Sequence, residues 1–328
     1  MRRTKRSGED GGFASLVAVA ALPYAAVAGA GCGLIWHLSA GVADGGLASL
    51  NGVSLLPAAA VVAVLAAGAG AGIWSLVVQL RTNARLARLV HAASVPCPDD
   101  RERPGVLVVE GDERFAFAYG LRAPRVVVSR GLLAQLSPAE VDAVVAHERY
   151  HQRNRDPLKL LVARVAGAAC FFLPAVRHLT ARHLARSELA ADRAAVRARG
   201  CAALAGALCK TVPGPGWDAL RAATPIASPE LLALRVEQLE RGAEPPLPRL
   251  PARALSVSVA VFASLTSAVV AVSVRAGVLL CMRGTATRPP VDLALGMASA
   301  VACAALWVWL ALVATRALTA HATTAPDL

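Results

Sequence analysis

Residues 137–151 read Ser137-Pro-Ala-Glu-Val-Asp-Ala-Val-Val-Ala-His-Glu-Arg-Tyr-His151. Ser137, Pro138 and Glu140 make a capping box with proline at the first helical position, and Leu136 with Val141 forms a hydrophobic staple. Val141, Val144 and Val145 add an apolar stripe at helical spacing. Asp156-Pro157 ends this helix and can cap the next one. On such a helix His147 and His151 lie one turn apart on one face, where two imidazoles can meet one metal ion, with Glu148 beside them. Given the His and Glu content, a His-Glu-x-x-His arises by chance only ~0.005 times in a chain of this length.

A zinc ion with three protein donors and an open fourth position lowers the pKa of a water held there. A neighbouring carboxylate then takes the proton and passes it to a leaving amine. The pattern points to peptide-bond hydrolysis with Glu148 as general base. For the third donor, residues 188–192 read Glu-Leu-Ala-Ala-Asp, an i, i+4 pair within the helical stretch 181–199. Glu188 is the natural ligand, and Asp192 can accept a hydrogen bond from a ligand histidine. His178 and His183 compete as third donors, or meet substrate or a developing oxyanion. The bland alternative for Glu188 and Asp192 is a solvated helix face paired with Arg186 and Arg193.

Outward from this centre the chain becomes very apolar. Of 328 residues, 56% are hydrophobic and 17% charged. That composition excludes disorder and a wholly soluble chain. Phe13–Trp36 and Val53–Leu80 are uncharged runs of 24 and 28 residues, and Ala254–Val274 and Leu293–Thr315 are runs of 21 and 23. Each is long enough to cross a bilayer core of about 30 Å. The expected organisation is a basic N-terminus (1–12), a transmembrane hairpin (13–80, spans 13–36 and 53–80), and a polar domain (81–253). A second hairpin (254–315, spans 254–280 and 293–315) and a tail (316–328) follow. Arg2, Arg3, Lys5 and Arg6 precede the first span and Arg81, Arg85 and Arg88 follow the second, while 37–52 has no Lys or Arg. Both termini and the polar domain are therefore expected in the cytosol of a multi-pass cell-membrane protein. Val165–Val176 is uncharged for only 12 residues, which suits a core or membrane-dipping helix better than a span.

The net charge of +12 is discounted as evidence for nucleic acid, because 31 of the 34 basic residues are arginine, a genome-wide bias. No direct nucleic-acid binding is expected. Seven scattered cysteines without a Cys-x-x-Cys exclude a disulfide scaffold and a Cys-rich zinc module. Residues 106–109, 115–119 and 125–129 are β-rich runs that suggest a small antiparallel sheet packed on the zinc helix. An edge strand there could pair an extended substrate. Ser228-Pro-Glu starts another helix ending near Gly242, and Val212–Trp217 reads as a loop.

Phe117-Ala-Tyr-Gly-Leu-Arg-Ala-Pro-Arg-Val-Val-Val-Ser-Arg-Gly-Leu-Leu133, the stretch Leu136–Glu148, Asn154-Arg-Asp-Pro-Leu158 and Ser187-Glu-Leu-Ala-Ala-Asp192 resemble the integral-membrane zinc metallopeptidases of the BlaR/MecR type. The same order is similar to the related HtpX and CAAX-protease group. The resemblance covers about 105–200. With the four apolar runs, the expected fold is a mostly α, four-span membrane protein with an α+β, gluzincin-like peptidase domain, which the resemblance places in the cytosol. The resemblance also implies one zinc on His147, His151 and Glu188, Glu148 as general base, and Asp192 behind the ligands. Arg149 and Tyr150 replace the usual small or apolar residues, and Ala191 stands where the BlaR type often has Cys. The penicillin-binding sensor's Ser-x-x-Lys is absent, so the resemblance is to the transducer protease without its sensor.

The expected partners are the lipid bilayer and a protein or peptide substrate, by resemblance a winged-helix transcriptional repressor cleaved in a signalling pathway. An HtpX-like protease for quality control of membrane proteins is the alternative. A transporter fits poorly, since Arg275 is the clear charge within the apolar runs. A silent scaffold around a structural metal fits poorly too, having no use for Glu148.

Overall fold

The computed structural model describes residues 11–25, 52–96, 103–210, 229–247 and 250–282. The expected fourth span, the loops 37–51 and 212–217 and the tail 316–328 lie outside the described residues. Among the described residues, one compact unit takes in 11–18 and those from 70 to 254. The other takes in 19–25, 52–69 and 255–282.

Helix α1 (Gly11–Ala25) is apolar, and α2 (Gly52–Ala93) runs for 42 residues. α2 continues unbroken from the expected second span into the polar domain, because nothing between Leu80 and His91 is a helix breaker. Among the described residues one helix, Ala59–Ala93 within α2, is long and apolar enough to cross a membrane by length and composition. The four-span organisation rests, beyond that helix, on sequence alone.

In the larger unit β1 (Ser94–Pro96), β2 (Val106–Val109), β3 (Ala116–Tyr119) and β4 (Arg125–Ser129) form one sheet in the order β1-β2-β4-β3. The expected sheet was antiparallel; the observed one is mixed, because β2 and β4 pair in parallel while β1–β2 and β3–β4 are antiparallel. The chain passes from β2 to the outer edge as β3 and returns as β4 between them. β4 can occupy the centre because Val126, Val127 and Val128 are all buried, two toward one face and one toward the other. Val126 and Val128 join Leu136, Val141 and Val145, whereas Val127 and Phe117 pack on Leu86 and Val90 of α2.

After α3 (Arg130–Leu133), α4 (Pro138–Asn154) begins with the expected capping box. The Ser137 hydroxyl accepts from the Glu140 N–H at 3.4 Å, and Glu140 Oε2 accepts from the Ser137 N–H at 2.7 Å. The helix ends at Arg155, whose φ of 55° lies in the left-handed region. α5 (Asp156–Ala169) and α6 (Pro174–Arg199) follow. The uncharged run 165–176 is thus not one helix. Leu173 precedes Pro174 and is extended (φ −113°, ψ 92°), so the chain turns there and leaves Phe171 exposed. α7 (Cys201–Lys210) and α8 (Pro229–Arg241) complete the domain, and α9 (Ala252–Met282) continues into the second unit. Ala143 of α4 and Ala190, Ala191 and Ala195 of α6 are all buried, and such small side chains let the two helices pack closely.

Candidate metal centre

α4 carries His147, Glu148 and His151, and α6 carries Glu188 and Asp192 one turn apart. The close α4–α6 packing brings them together. His147 Nε2 and His151 Nε2 are 3.1 Å apart, His147 Nε2 is 3.4 Å from Glu188 Oε2, and His151 Nε2 is 3.5 Å from Glu188 Oε1. All three ligand atoms lie within 4.8 Å of one another. Zinc bonds of 2.0–2.1 Å at tetrahedral angles place donor atoms ~3.3 Å apart. The observed triangle matches that spacing. Two imidazole nitrogens face one point, and Glu188 Oε2 is buried without a hydrogen bond. This set of two imidazoles and a carboxylate fits zinc.

Of the candidates for third donor, Glu188 joins this triangle and His178 does not. His183 is buried on the pocket wall with its ring 5.1 Å from that of Phe13. Nor do Glu188 and Asp192 form a solvated face: Arg193 pairs instead with Glu244 at 2.6 Å. Their cationic partner is Arg235 of α8, which is buried and holds Asp192 through Nε at 2.7 Å and Nη2 at 2.6 Å. Arg235 Nη1 is 3.5 Å from Glu188 Oε2. Asp192, fully buried, lies 2.9 Å from His147 Nδ1, the nitrogen that faces away from the triangle.

Behind His151 the arrangement differs from expectation. Asp156 does not cap α5. Its Oδ2 lies 2.7 Å from His151 Nδ1 and accepts the Ser187 hydroxyl at 2.6 Å. Each histidine therefore has a carboxylate on its outer nitrogen, which fixes ring orientation and tautomer. Arg235, Asp156 and Ser187 were not read as site residues from the sequence.

Burial pushes the His147 imidazole down, but contacts with Asp192 and Glu188 outweigh it and hold it up at about 10. For Glu188 the balance runs the other way. Burial raises it, yet His151, His147 and Arg235 hold it well below the usual carboxylate range. Glu148 is the exception among these acids, since burial raises it despite the nearby histidines. The Ala118 N–H of β3 donates to it.

Residues 79–210 match the family model described as peptidase family M48. Protease HtpX homolog 2 of Methanosarcina mazei is 36% identical over 90 residues, covering 27% of this chain and 29% of that protein. The Protease HtpX homolog of Thermoplasma acidophilum is 41% identical over 71 residues, 21% of this chain and 22% of that protein. That of Acidiphilium cryptum is 40% identical over 92 residues, 27% of this chain and 30% of that protein. The chain thus spans less than a third of the length of these curated relatives. No solved structure matches.

Proposed function

We propose that this chain is a membrane-associated zinc metalloendopeptidase. The single observation that carries the reading is the donor triangle of His147, His151 and Glu188 at 3.1, 3.4 and 3.5 Å, with Glu148 buried next to it. The match to an M48 peptidase model over the same residues supports it. His147, His151 and Glu188 would hold one zinc ion. When bound, zinc supplies electrophilic polarisation of the scissile carbonyl and acidifies a water.

The chain's own residues do the remaining work. Glu148 takes the proton of the attacking water and delivers it to the leaving amine, and burial suits it to hold that proton between the two steps. Asp192 and Asp156 keep the outer nitrogens of the two histidines occupied, so the inner nitrogens stay turned toward the ion. β3 is the edge of the sheet beside Glu148. Its Phe115 carbonyl accepts from Ser129 of the β4 strand end at 2.9 Å, so by strand alternation Ala116 and Ala118 turn their backbone groups outward. An extended substrate that pairs with that edge passes the base.

For the substrate, the relatives named as HtpX proteases favour membrane-protein quality control. Cleavage of a transcriptional repressor is the second reading, and it rests on the resemblance to the BlaR/MecR type given above. A winged-helix repressor gene beside this one would favour it.

The test is bound metal and cleavage in one set of detergent-purified samples. Wild type and Glu148→Gln are expected to carry one equivalent of zinc and His151→Ala none, with casein or self-cleavage in wild type alone. Zinc-free wild type would end the proposal, and zinc without cleavage would favour a scaffold.

A further inference from the structure

α2 and α5 both border the pocket, and the points where they meet run in opposite directions along the two helices. Gly72, Gln79 and Leu86 recur every two turns on one face of α2. A side chain at Gly72 would meet Ala169, and Gln79 Oε1 accepts from Arg164 Nη1 at 3.4 Å. Leu86 lines the same pocket as Leu161. Pro157, Leu160, Leu161 and Arg164 occupy the face of α5 that looks into it.

Arg164 is half-buried on this wall and shares the cavity with His147, His151 and Glu188. Its long contact with the neutral Gln79 amide is its one hydrogen bond among the described residues, and none of their carboxylates reaches it. The two buried arginines among the described residues differ from it: Arg103 is held by Asp142 at 2.8 Å and Arg235 by Asp192 at 2.6 Å. Removing a guanidinium from water without an anionic partner is costly, and its five N–H donors form a fork that fits a carboxylate edge-on. Asn83, one turn beyond Gln79 on α2, also lines the cavity and makes no hydrogen bond with a described residue.

We infer that Arg164 recognises a carboxylate of the bound peptide and sets the specificity of the pocket. This rests on the peptidase reading above. Eight residues separate Arg164 from Asp156, which touches His151. That is about 12 Å along a helix axis, and the side chain tilts back toward the N-terminus of α5, shortening the gap. An extended peptide covers it in three or four residues. The carboxylate is therefore an acidic side chain three or four residues from the scissile bond, or the free C-terminus of a short product or substrate at the same place. A lipid phosphate is the rival, because exposed Ile73, Trp74 and Phe171 lie one to two turns beyond Arg164. The pocket-facing position of Arg164 favours the peptide.

The test uses the full, zinc-loaded chain in phosphatidylcholine nanodiscs, as Glu148→Gln so that bound peptide persists. Labelled octapeptide pools, randomised except for Glu or Gln at one position, are titrated by fluorescence anisotropy, each with a free or amidated C-terminus. The Glu pool should bind at least about tenfold more tightly than the Gln pool, ~1.4 kcal/mol. Adding Arg164→Gln should bring the ratio within twofold, and Arg164→Lys should restore part of it. A preference for the free acid in place of Glu would assign the C-terminal carboxylate. Equal affinities, a preference that survives Arg164→Gln, or an effect confined to discs containing phosphatidylglycerol would each overturn the inference. Unchanged zinc content and melting temperature show that the variants fold. Wild-type cleavage is scored separately, so a protein that binds acidic peptides but hydrolyses none would sink the peptidase reading alone.

Discussion

Arg235→Leu offers the sharpest check on how the site is held. Asp192 is fully buried, and the substitution removes its two charge-assisted hydrogen bonds at 2.6 and 2.7 Å. Taking one partner from a buried ion pair costs about 3–5 kcal/mol. His147 remains 2.9 Å from Asp192 and can share its proton, so the lower end applies, about 3 kcal/mol. For a domain of this size that is a fall of roughly 6–12 °C in melting temperature. The carboxylate that orients His147 is then free to turn, and losing such an outer partner weakens metal affinity about 10–100-fold. Arg235→Lys should rescue little, since one ammonium cannot span both oxygens. The assay is zinc competition against a fluorescent chelator beside thermal melts of metal-free protein. Combining Arg235→Leu with Asp192→Asn should give a coupling of about 1–3 kcal/mol. If Arg235→Leu kept zinc affinity within about threefold and melted as wild type does, Asp192 would not depend on it and the reasoning would fail.

Asp156→Ala frees His151 and Ser187 together, and zinc affinity should drop by about tenfold or more while Asp156→Glu recovers part of it; chelator competition reads this. Leu132→Ala, at a fully buried core position away from the donors, should cost about 2–5 kcal/mol and leave zinc stoichiometry at one. The Glu140 carboxyl is held below its ordinary value of 4.5 by hydrogen bonds from Lys210 and from the Ser137 N–H. A depressed folded pKa contributes stability that is present above the ordinary value and lost as pH falls through the folded one. Denaturant melts from about pH 6 to pH 3 should therefore show a smaller acid loss for Glu140→Gln than for wild type, and identical slopes would refute the role.

What was legible in the sequence was whatever one helix carries by itself. Ser137, Pro138 and Glu140 start α4, and the i, i+4 rule alone puts His147 and His151 on one face; the same rule pairs Glu188 with Asp192. Arg235 was not legible. It is one of 31 arginines, and its burial arises only where α8 packs on α6, with Gln238 donating to the Leu189 carbonyl at 3.0 Å. Asp156 misled for a related reason. A local rule makes Asp before Pro a cap, but Arg155 ends α4 by taking a left-handed conformation, and the carboxylate is left for His151 and Ser187. The strands were readable from their β-branched runs, whereas their order depends on connections that composition does not encode. The unbroken Val126-Val127-Val128 is the one local sign that β4 is covered on both faces.

Charge explains why these pieces belong together. Glu148, Asp156, Glu188 and Asp192 converge on the two histidines, and Arg235 is the guanidinium set among them. Four carboxylates against the one arginine that pairs with them leave a surplus of negative charge in a desolvated place, which no fold tolerates without cations. Protons on the imidazoles supply part of the balance, and that is why His147 is held up at about 10 against the opposing effect of burial. A divalent ion between the same nitrogens and Glu188 would do it better, because it brings two charges to the point where the lone pairs already converge. The partners that hold a proton on His147 are therefore the ones that favour its exchange for a metal. Arg235 fits the same logic from outside: it holds Asp192 at 2.6 and 2.7 Å and reaches Glu188 Oε2 only at 3.5 Å, so the inner face stays acidic enough to attract a cation. An arginine at the inner face would have closed the site, and placing it on α8 behind Asp192 keeps the pocket open for Glu148 and the β3 edge.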